Sequence, residues 1–522
     1  MTDETYIGAL DQGTSGTRFV VFNAAGELIS AAFTAHHQRA TPPDRIEYDP
    51  LKLWGCATDA IRRGLARGDV DSEQLRTLGI SSQRQTVLLW DAESGRPVTR
   101  ALSWRDRRTA AQIRALDAAE KQLIRERTGL EPDPYFAAPN ATWLLDNGGE
   151  QCSSVSRSVR GTPHHGGIAG GDSLRDRAAD GEVLLGTVDA WLLYNFTGTH
   201  ATDVTNAAQT MLFDIREREW DDDLLDLFDV PRAALPTVHA SSDPDGFGMT
   251  DPDGILNAAI PVTGVMGDQQ AALLGRVARG DADAKVTYGT GNFFLQNTGP
   301  EPIDADGELL TTIWFQRAGE DPHYGLEGPV FATGAVLEWL QEIGLLEDAG
   351  GFDHGDRTGQ PGTGQFVPAF GGLGAPYWMP DARGGMFGLH RDVGSEDVVR
   401  AAMEAIAFGT RAVVDAAEDA TGVEHDRLLV DGGAIQDDVF AQCQADLIDR
   451  PLVRSDVTQT AALGACFAAG LAVEVWDGLD DIDACRPTGR TFRPSGDSDV
   501  IADAYRDWRE VVEAVASVYQ SR

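Results

Sequence analysis

The chain has 522 residues, 42% of them hydrophobic and 8% aromatic, enough to bury a large core and divide into two or more domains, which excludes a disordered protein. Its 43 Lys and Arg against 82 Asp and Glu give a formal net charge of −39, which excludes broad contact with nucleic-acid backbones or an anionic membrane surface. Lys52, Lys121 and Lys285 are the only lysines, and an acidic excess with so little lysine points to a halophile's cytosol.

The start, Met1-Thr-Asp-Glu-Thr-Tyr6, lacks the basic and apolar regions of a signal peptide. No apolar run reaches the roughly 18 residues of a membrane span, so a cytoplasmic protein without an integral membrane segment is expected. Cys56, Cys152, Cys443, Cys466 and Cys485 are scattered and contain no C-x-x-C pair, so free thiols are expected rather than disulfides or a zinc cluster.

Along the chain, Tyr6-Ile-Gly-Ala-Leu10 reads as a strand, Asp11 to Arg18 as a polar loop, Phe19-Val-Val-Phe22 as a strand, and Leu28-Ile29 as the start of a third after a turn. Leu51 to Leu65 has helical spacing, and Thr86-Val-Leu-Leu-Trp90 is strand-like. Asn147 to Gly181 is poor in large apolar residues and reads as a surface insertion, with its His164-His165 pair as plain loop residues.

A second series starts near Ile260: Val262 to Gly267 runs into a helix, Ala284 to Tyr288 into Gly289-Thr-Gly291, and Arg427 to Asp431 into Gly432-Gly433. Acidic residues and glycines recur at strand ends, which predicts a duplicated α/β architecture with a cleft between halves: an N-terminal domain over 1–257, carrying the insertion at about 147–181, and a C-terminal domain over 258–522. Ile501 to Tyr519 reads as a packed terminal helix.

The chain has no Walker A loop, G-x-G-x-x-G, G-x-S-x-G or H-E-x-x-H, so any phosphate is held by other loops. Three candidates expose backbone N–H groups and hydroxyls: Asp11 to Arg18, Gly289 to Gly291 and Asp431 to Gly433. Asp11 suits Mg²⁺ and Arg18 suits developing phosphoryl charge, while a strand-end Asp and a hairpin salt bridge is the plain alternative. Asp268, at a strand-to-helix junction beside Gln269, reads either as an N-cap or as a general base that takes a proton from an attacking alcohol. Arg84 and Gln85 offer a polar wall to a polyol, and Trp104, Tyr135 and Phe293 offer aromatic faces.

Taken together, several segments in order carry a resemblance: Leu10-Asp-Gln-Gly-Thr14, Ser82-Gln-Arg84, Asp133-Pro-Tyr-Phe136, Gly186-Thr-Val-Asp-Ala-Trp191, Thr202-Asp-Val-Thr-Asn-Ala207, Gly267-Asp-Gln-Gln-Ala-Ala272 and Tyr288-Gly-Thr-Gly291. Phe370 to Trp378, Gly384 to Glu404 and Val430-Asp-Gly-Gly433 complete the set. The chain resembles the FGGY carbohydrate kinases over nearly its whole length, and within them the members that act on glycerol.

The resemblance implies an α/β fold of two actin-like ATPase (RNase-H-like) domains with an interdomain catalytic cleft. It also implies ATP- and Mg²⁺-dependent phosphorylation of a small polyol, glycerol to sn-glycerol 3-phosphate, and a homodimer or homotetramer. Arg84, Gln85, Trp104, Tyr135, Asp268, Gln269 and Phe293 match substrate positions, with Asp268 as catalytic base. Thr14, Ser15, Gly16 and Arg18 match the first phosphate loop and Thr290 the second; Gly334, Glu338, Gly433 and Asp437 match nucleotide positions, and Asp11 the Mg²⁺ position.

The chain also departs from that pattern. The family's Glu after Arg84 is Gln85, its Lys before a signature Trp is Asn140, and Glu338 and Asp437 stand beside the adenine in place of Gln and Asn. The loop that binds fructose 1,6-bisphosphate in some members is replaced around Thr250 to Gly254, which predicts no such regulation. Two other readings remain: an FGGY activity on a ketopentose, tetritol or pentitol, and a non-catalytic nucleotide-binding regulator of actin-like fold.

Overall fold

The computed structural model describes residues 5–40, 45–155, 173–276, 283–346, 364–485 and 489–520. The chain forms two compact units, the first from Met1–Val277, Thr312–His323 and Ala461–Arg486, the second from Ala278–Thr311, Tyr324–Thr460 and Pro487–Arg522.

In the first unit, the expected Asp11–Arg18 loop is shorter: its ends pair within antiparallel strands Tyr6–Gln12 and Gly16–Asn23, only residues 13–15 turn, and the Gly13 N–H closes that turn on the Gly16 carbonyl at 3.0 Å. Strand Leu28–Ala35 follows at the sheet edge. Leu75–Ser82 adds parallel to Tyr6–Gln12, and Val262–Gly267 adds parallel to Leu75–Ser82. The helix expected over Leu51–Leu65 spans Pro50–Gly68, started by the Asp49 carboxylate on the Leu51 N–H and stopped at Asp69 in left-handed backbone. It packs so closely on the sheet that a Cβ on Gly64 would lie 2.7 Å from the Phe19 ring. Phe19, Ile61, Leu78, Trp90, Trp191 and Val265 lie in the core beneath.

In the second unit, Ala284–Tyr288 and Asn292–Gly299 pair antiparallel, with His323–Val330 antiparallel beyond. Leu428–Asp431 pairs parallel to Ala284–Tyr288, Leu452–Ser455 parallel to Leu428–Asp431, and Gly489–Phe492 antiparallel to Leu452–Ser455. Five strands thus lie in the same order as in the first unit: fifth, fourth, first, second, third along the chain. The expected duplication is therefore present in the hydrogen-bonding pattern itself. Helix Ser395–Thr421 buries Ile406, Phe408 and Val413, and the terminal helix spans Ser498–Gln520, with Trp508 donating to the Phe366 carbonyl at 2.9 Å.

The segment read as an insertion differs at both ends. Helix Ala137–Val155 runs through its first residues and Leu174–Ala179 is a short helix with Ser173 as its N-cap. Gly148 explains the extension: a Cβ there would lie 2.6 Å from Thr99 and 2.9 Å from Leu174, so the missing side chain lets the helix pack tightly. The middle of that segment, with His164 and His165, lies outside the described residues.

Candidate active site

The carboxyl ends of the first unit's parallel strands gather its charged side chains, the usual place for a ligand in an α/β sheet. Asp11 faces Arg18 in register across the hairpin and Ser81 in register on the parallel side; Ser81 in turn faces Met266, two residues before Asp268. Arg18 Nη1 lies 3.6 Å from Asp11 Oδ2, and Ser81 Oγ donates to Asp11 Oδ1 at 3.4 Å. The hairpin ion pair foreseen as the plain alternative is thus real. Burial, opposed by Arg18 and reinforced by the charge of Asp268, pushes the Asp11 carboxyl from its ordinary 3.8 up to about 6.

A half-buried carboxylate in that state is better stabilised by a divalent cation than by Arg18 alone. Mg²⁺ is usually held by one or two carboxylates together with phosphate and water oxygens. Among the described residues no group of three or more His, Cys, Asp or Glu forms a metal cage, and Asp11 as a single hard donor fits the open kind of site.

Asp268 is not an N-cap: Gly267 takes that place and Asp268 is the first residue of helix Asp268–Gly275, where the helix dipole favours its negative charge. Buried Arg84 brings Nε to 3.4 Å from Asp268 Oδ1. Gly267 makes this possible, because a Cβ there would lie 2.6 Å from Arg84 Cδ. Gln269 is buried on the same turn.

Trp104 and Tyr135 meet edge to face at 5.7 Å between ring centroids, both buried. The Trp104 indole donates to the Thr14 hydroxyl at 3.1 Å, which ties the aromatic wall to the first glycine loop. In that loop Gly16 leaves room for the Phe33 ring, 2.2 Å from where its Cβ would be, and Ser15 is exposed. Asn140 is buried: its Oδ1 accepts from the Thr109 hydroxyl and its Nδ2 donates to the Pro134 carbonyl just before Tyr135.

The remaining sequence-predicted residues lie in the second unit. Thr290 sits in the turn Gly289–Gly291, whose Gly289 and Thr290 carbonyls accept from the Gly334 and Thr333 N–H groups. A Cβ on Gly334 would lie 2.6 Å from the Gly289 carbonyl oxygen, so only glycine allows this approach at the start of helix Gly334–Glu342. Gly432, with φ of 101°, brings its backbone to the Tyr288 carbonyl, and Gly433 is exposed beside it. Asp437 caps helix Asp438–Ile448 through the Phe440 N–H at 2.8 Å; Glu338 is exposed. Phe293 is buried in strand Asn292–Gly299 of this unit, apart in the chain from the other substrate candidates.

Sequence reasoning assigned no role to two supports. Asp203 accepts from the Asn206 N–H, Asn206 Nδ2, Thr205 N–H, the Thr205 hydroxyl and the Ser241 hydroxyl, and Thr205 Oγ1 accepts the Gly267 N–H at 2.9 Å, directly before Asp268. Gln209 accepts from Gln85. The signal for the first was the Asp-x-Thr-Asn spacing, which reads as a side chain folding back on its own helix start; the second had no local signal.

Residues 6–275 match the N-terminal domain of the FGGY family of carbohydrate kinases and residues 284–473 its C-terminal domain. The chain is 46% identical to a glycerol kinase of Haloferax volcanii and 45% to one of Halobacterium salinarum, each over 98% of both chains. Its structure matches a Plasmodium falciparum glycerol kinase solved with ADP at a TM-score of 0.83 and 28% identity, covering 98% of each chain. A Lactobacillus acidophilus xylulose kinase, at 0.79 and 20% identity over 99% of each chain, shares the fold.

Proposed function

The chain belongs to the FGGY family of carbohydrate kinases, ATP-dependent phosphotransferases, and we propose that it transfers the γ-phosphoryl group of ATP to a terminal hydroxyl of glycerol, giving sn-glycerol 3-phosphate. The observation that carries this reading is the Arg84–Asp268 pair beside Asp11 at the strand ends. In the proposed step Asp268 takes the proton of the attacking hydroxyl, oriented by Arg84 at the start of its helix. Gln85 and Gln269 hydrogen-bond the other hydroxyls, and Trp104, Tyr135 and Phe293 cover the carbon chain. Arg18 and the backbone N–H groups of the Thr14-Ser15-Gly16 loop neutralise the transferred group.

Mg²⁺ at Asp11 supplies charge neutralisation to the phosphates when bound. Thr290, Gly334 and Gly433, with Glu338 and Asp437 near the base, form the nucleotide side of the reading. ATP use goes with a cytoplasmic setting. Among the described residues no helix is long and apolar enough to cross a membrane.

The test is ADP release in molar KCl with Mg²⁺ against glycerol, erythritol, xylitol, ribitol, dihydroxyacetone, xylulose and ribulose. Glycerol is expected to give the highest kcat/KM. A longer polyol or a ketose in first place leaves the phosphoryl transfer and moves the substrate, and Gln85 is the feature that would account for it. Nucleotide binding with no transfer to any acceptor would overturn the kinase reading in favour of a regulator.

A further inference from the structure

Beneath Gln85 runs a short chain of neutral side chains. Gln85 lies just past strand Leu75–Ser82 in left-handed backbone, φ 62°, and is 2% exposed. Its Nε2 donates to Gln209 Oε1 at 2.6 Å, and Gln209 Nε2 donates to the Thr312 hydroxyl at 3.0 Å. Gln209 and Thr312 are both fully buried. An amide has one donating and one accepting end, and a buried amide left free to rotate presents either. With one N–H of that amide given to Gln209, the group cannot flip without losing the bond, and its carbonyl oxygen stays the end that accepts from a hydroxyl.

The left-handed backbone sharpens this. A residue other than Gly or Asn in that region is held there by its surroundings, and a short hydrogen bond from a fully buried side chain is such a hold. The pairing also gives a physical meaning to a neutral residue at 85: one fixed acceptor remains, without the cost of burying a carboxylate.

We propose that Gln209 is a positioning residue for polyol binding, which fixes the Gln85 amide so that its oxygen faces the substrate, with Thr312 anchoring Gln209 from behind. This rests on the reading of Gln85 as a substrate contact. Because Gln85 is not the proton acceptor, the device acts on binding of ground and transition states alike and leaves the chemical step alone.

The experiment compares wild type, Gln209→Leu, Gln209→Glu and Thr312→Val in molar KCl, with the polyol that the wild type turns over best. Gln209→Leu removes the acceptor, and KM for the polyol is expected to rise about tenfold with kcat within about threefold and KM for ATP unchanged. Gln209→Glu still accepts from Gln85 and from the Thr312 hydroxyl, so its KM is expected close to wild type. Thr312→Val loosens only the anchor, with an expected rise of about threefold, and serves if Gln209→Leu does not fold. Equal polyol KM values in wild type and in Gln209→Leu, or in Thr312→Val where Gln209→Leu is lost, would overturn the proposal, as would a fall confined to kcat. A wild type without turnover on any polyol would instead overturn the reading of the site on which it rests.

Discussion

The two units solve one topological problem with different chemistry. Each starts with a strand, a glycine turn and an antiparallel return strand, and each places the chain's next parallel strand beside the first. In the first unit the strand ends carry charge: Asp11 against Arg18, and Asp268 against Arg84. In the second, Thr287 stands where Asp11 does and Asp431 where Ser81 does; Asp431 is held by the Thr287 and Thr460 hydroxyls at 2.5 and 2.7 Å, and the loops around it bring backbone to backbone at Gly334 and Gly432. The same sheet order therefore carries paired charges at the strand ends of one unit and close backbone approaches in the other, the two sides of the proposed reaction. Fold alone would not distinguish the two units; the side chains at equivalent strand ends differ.

The largest effect that breaks this contrast is expected at Asp268. Asp268→Asn keeps the shape and the helix start but cannot take a proton, so kcat should fall about 10²- to 10⁴-fold in a coupled ADP assay. Turnover near the wild-type rate would remove Asp268 from the chemistry. On the other side, Gly334→Ala forces its Cβ to within 2.6 Å of the Gly289 carbonyl oxygen and must displace the Thr290 turn. Half-saturating ATP should rise about tenfold while the polyol KM holds, in keeping with the sensitivity of bound geometry to shifts of an ångström or less. An unchanged ATP requirement would detach that turn from the nucleotide.

Salt should treat the two units alike. With a net charge of −39, lowering KCl from about 2 M to about 0.1 M lengthens the screening distance to about 10 Å and exposes the acidic surface to its own repulsion. The unfolding midpoint should drop by many degrees, and a midpoint indifferent to salt would contradict the halophilic reading.

A smaller effect belongs to the first unit alone. Burial pushes Asp203 from 3.8 up to about 6, against its hydrogen bonds from Asn206, Ser241 and Thr205 and with the charge of Asp189 adding to the rise. The folded state then holds that proton more tightly than the unfolded one, so the group favours folding most below about pH 4 and loses that contribution as the pH rises through about 6. The stability lead of wild type over Asp203→Asn should accordingly shrink between about pH 4.5 and pH 7.5, read from unfolding midpoints in molar KCl. A lead that grows over that range would give Asp203 the opposite sign.

Much of this was legible before any coordinates. The glycine turns after Leu10 and Tyr288 are local events, and so are helices Pro50–Gly68 and Ser498–Gln520, whose apolar spacing follows the helical period. The repeated strand order was only half visible, because Tyr6–Gln12 pairs with Leu75–Ser82, and that strand with Val262–Gly267, across stretches with no local trace of the pairing. Composition misled at Asn147, where a glycine that signalled a loop lets a helix pack against Thr99 instead. The support under the site was hidden for the same reason: Thr205 holds the Gly267 amide and Gln209 holds Gln85, each across dozens of residues.

The separation of labour between the units is the central claim, and ADP binding to the Asp268→Asn protein, measured by calorimetry in molar KCl with Mg²⁺, tests it most directly. The expected result is a Kd equal to that of the wild type within about threefold, alongside the collapse of turnover. A Kd weakened in step with the lost rate would contradict it, because Asp268 would then be holding the nucleotide and not the proton.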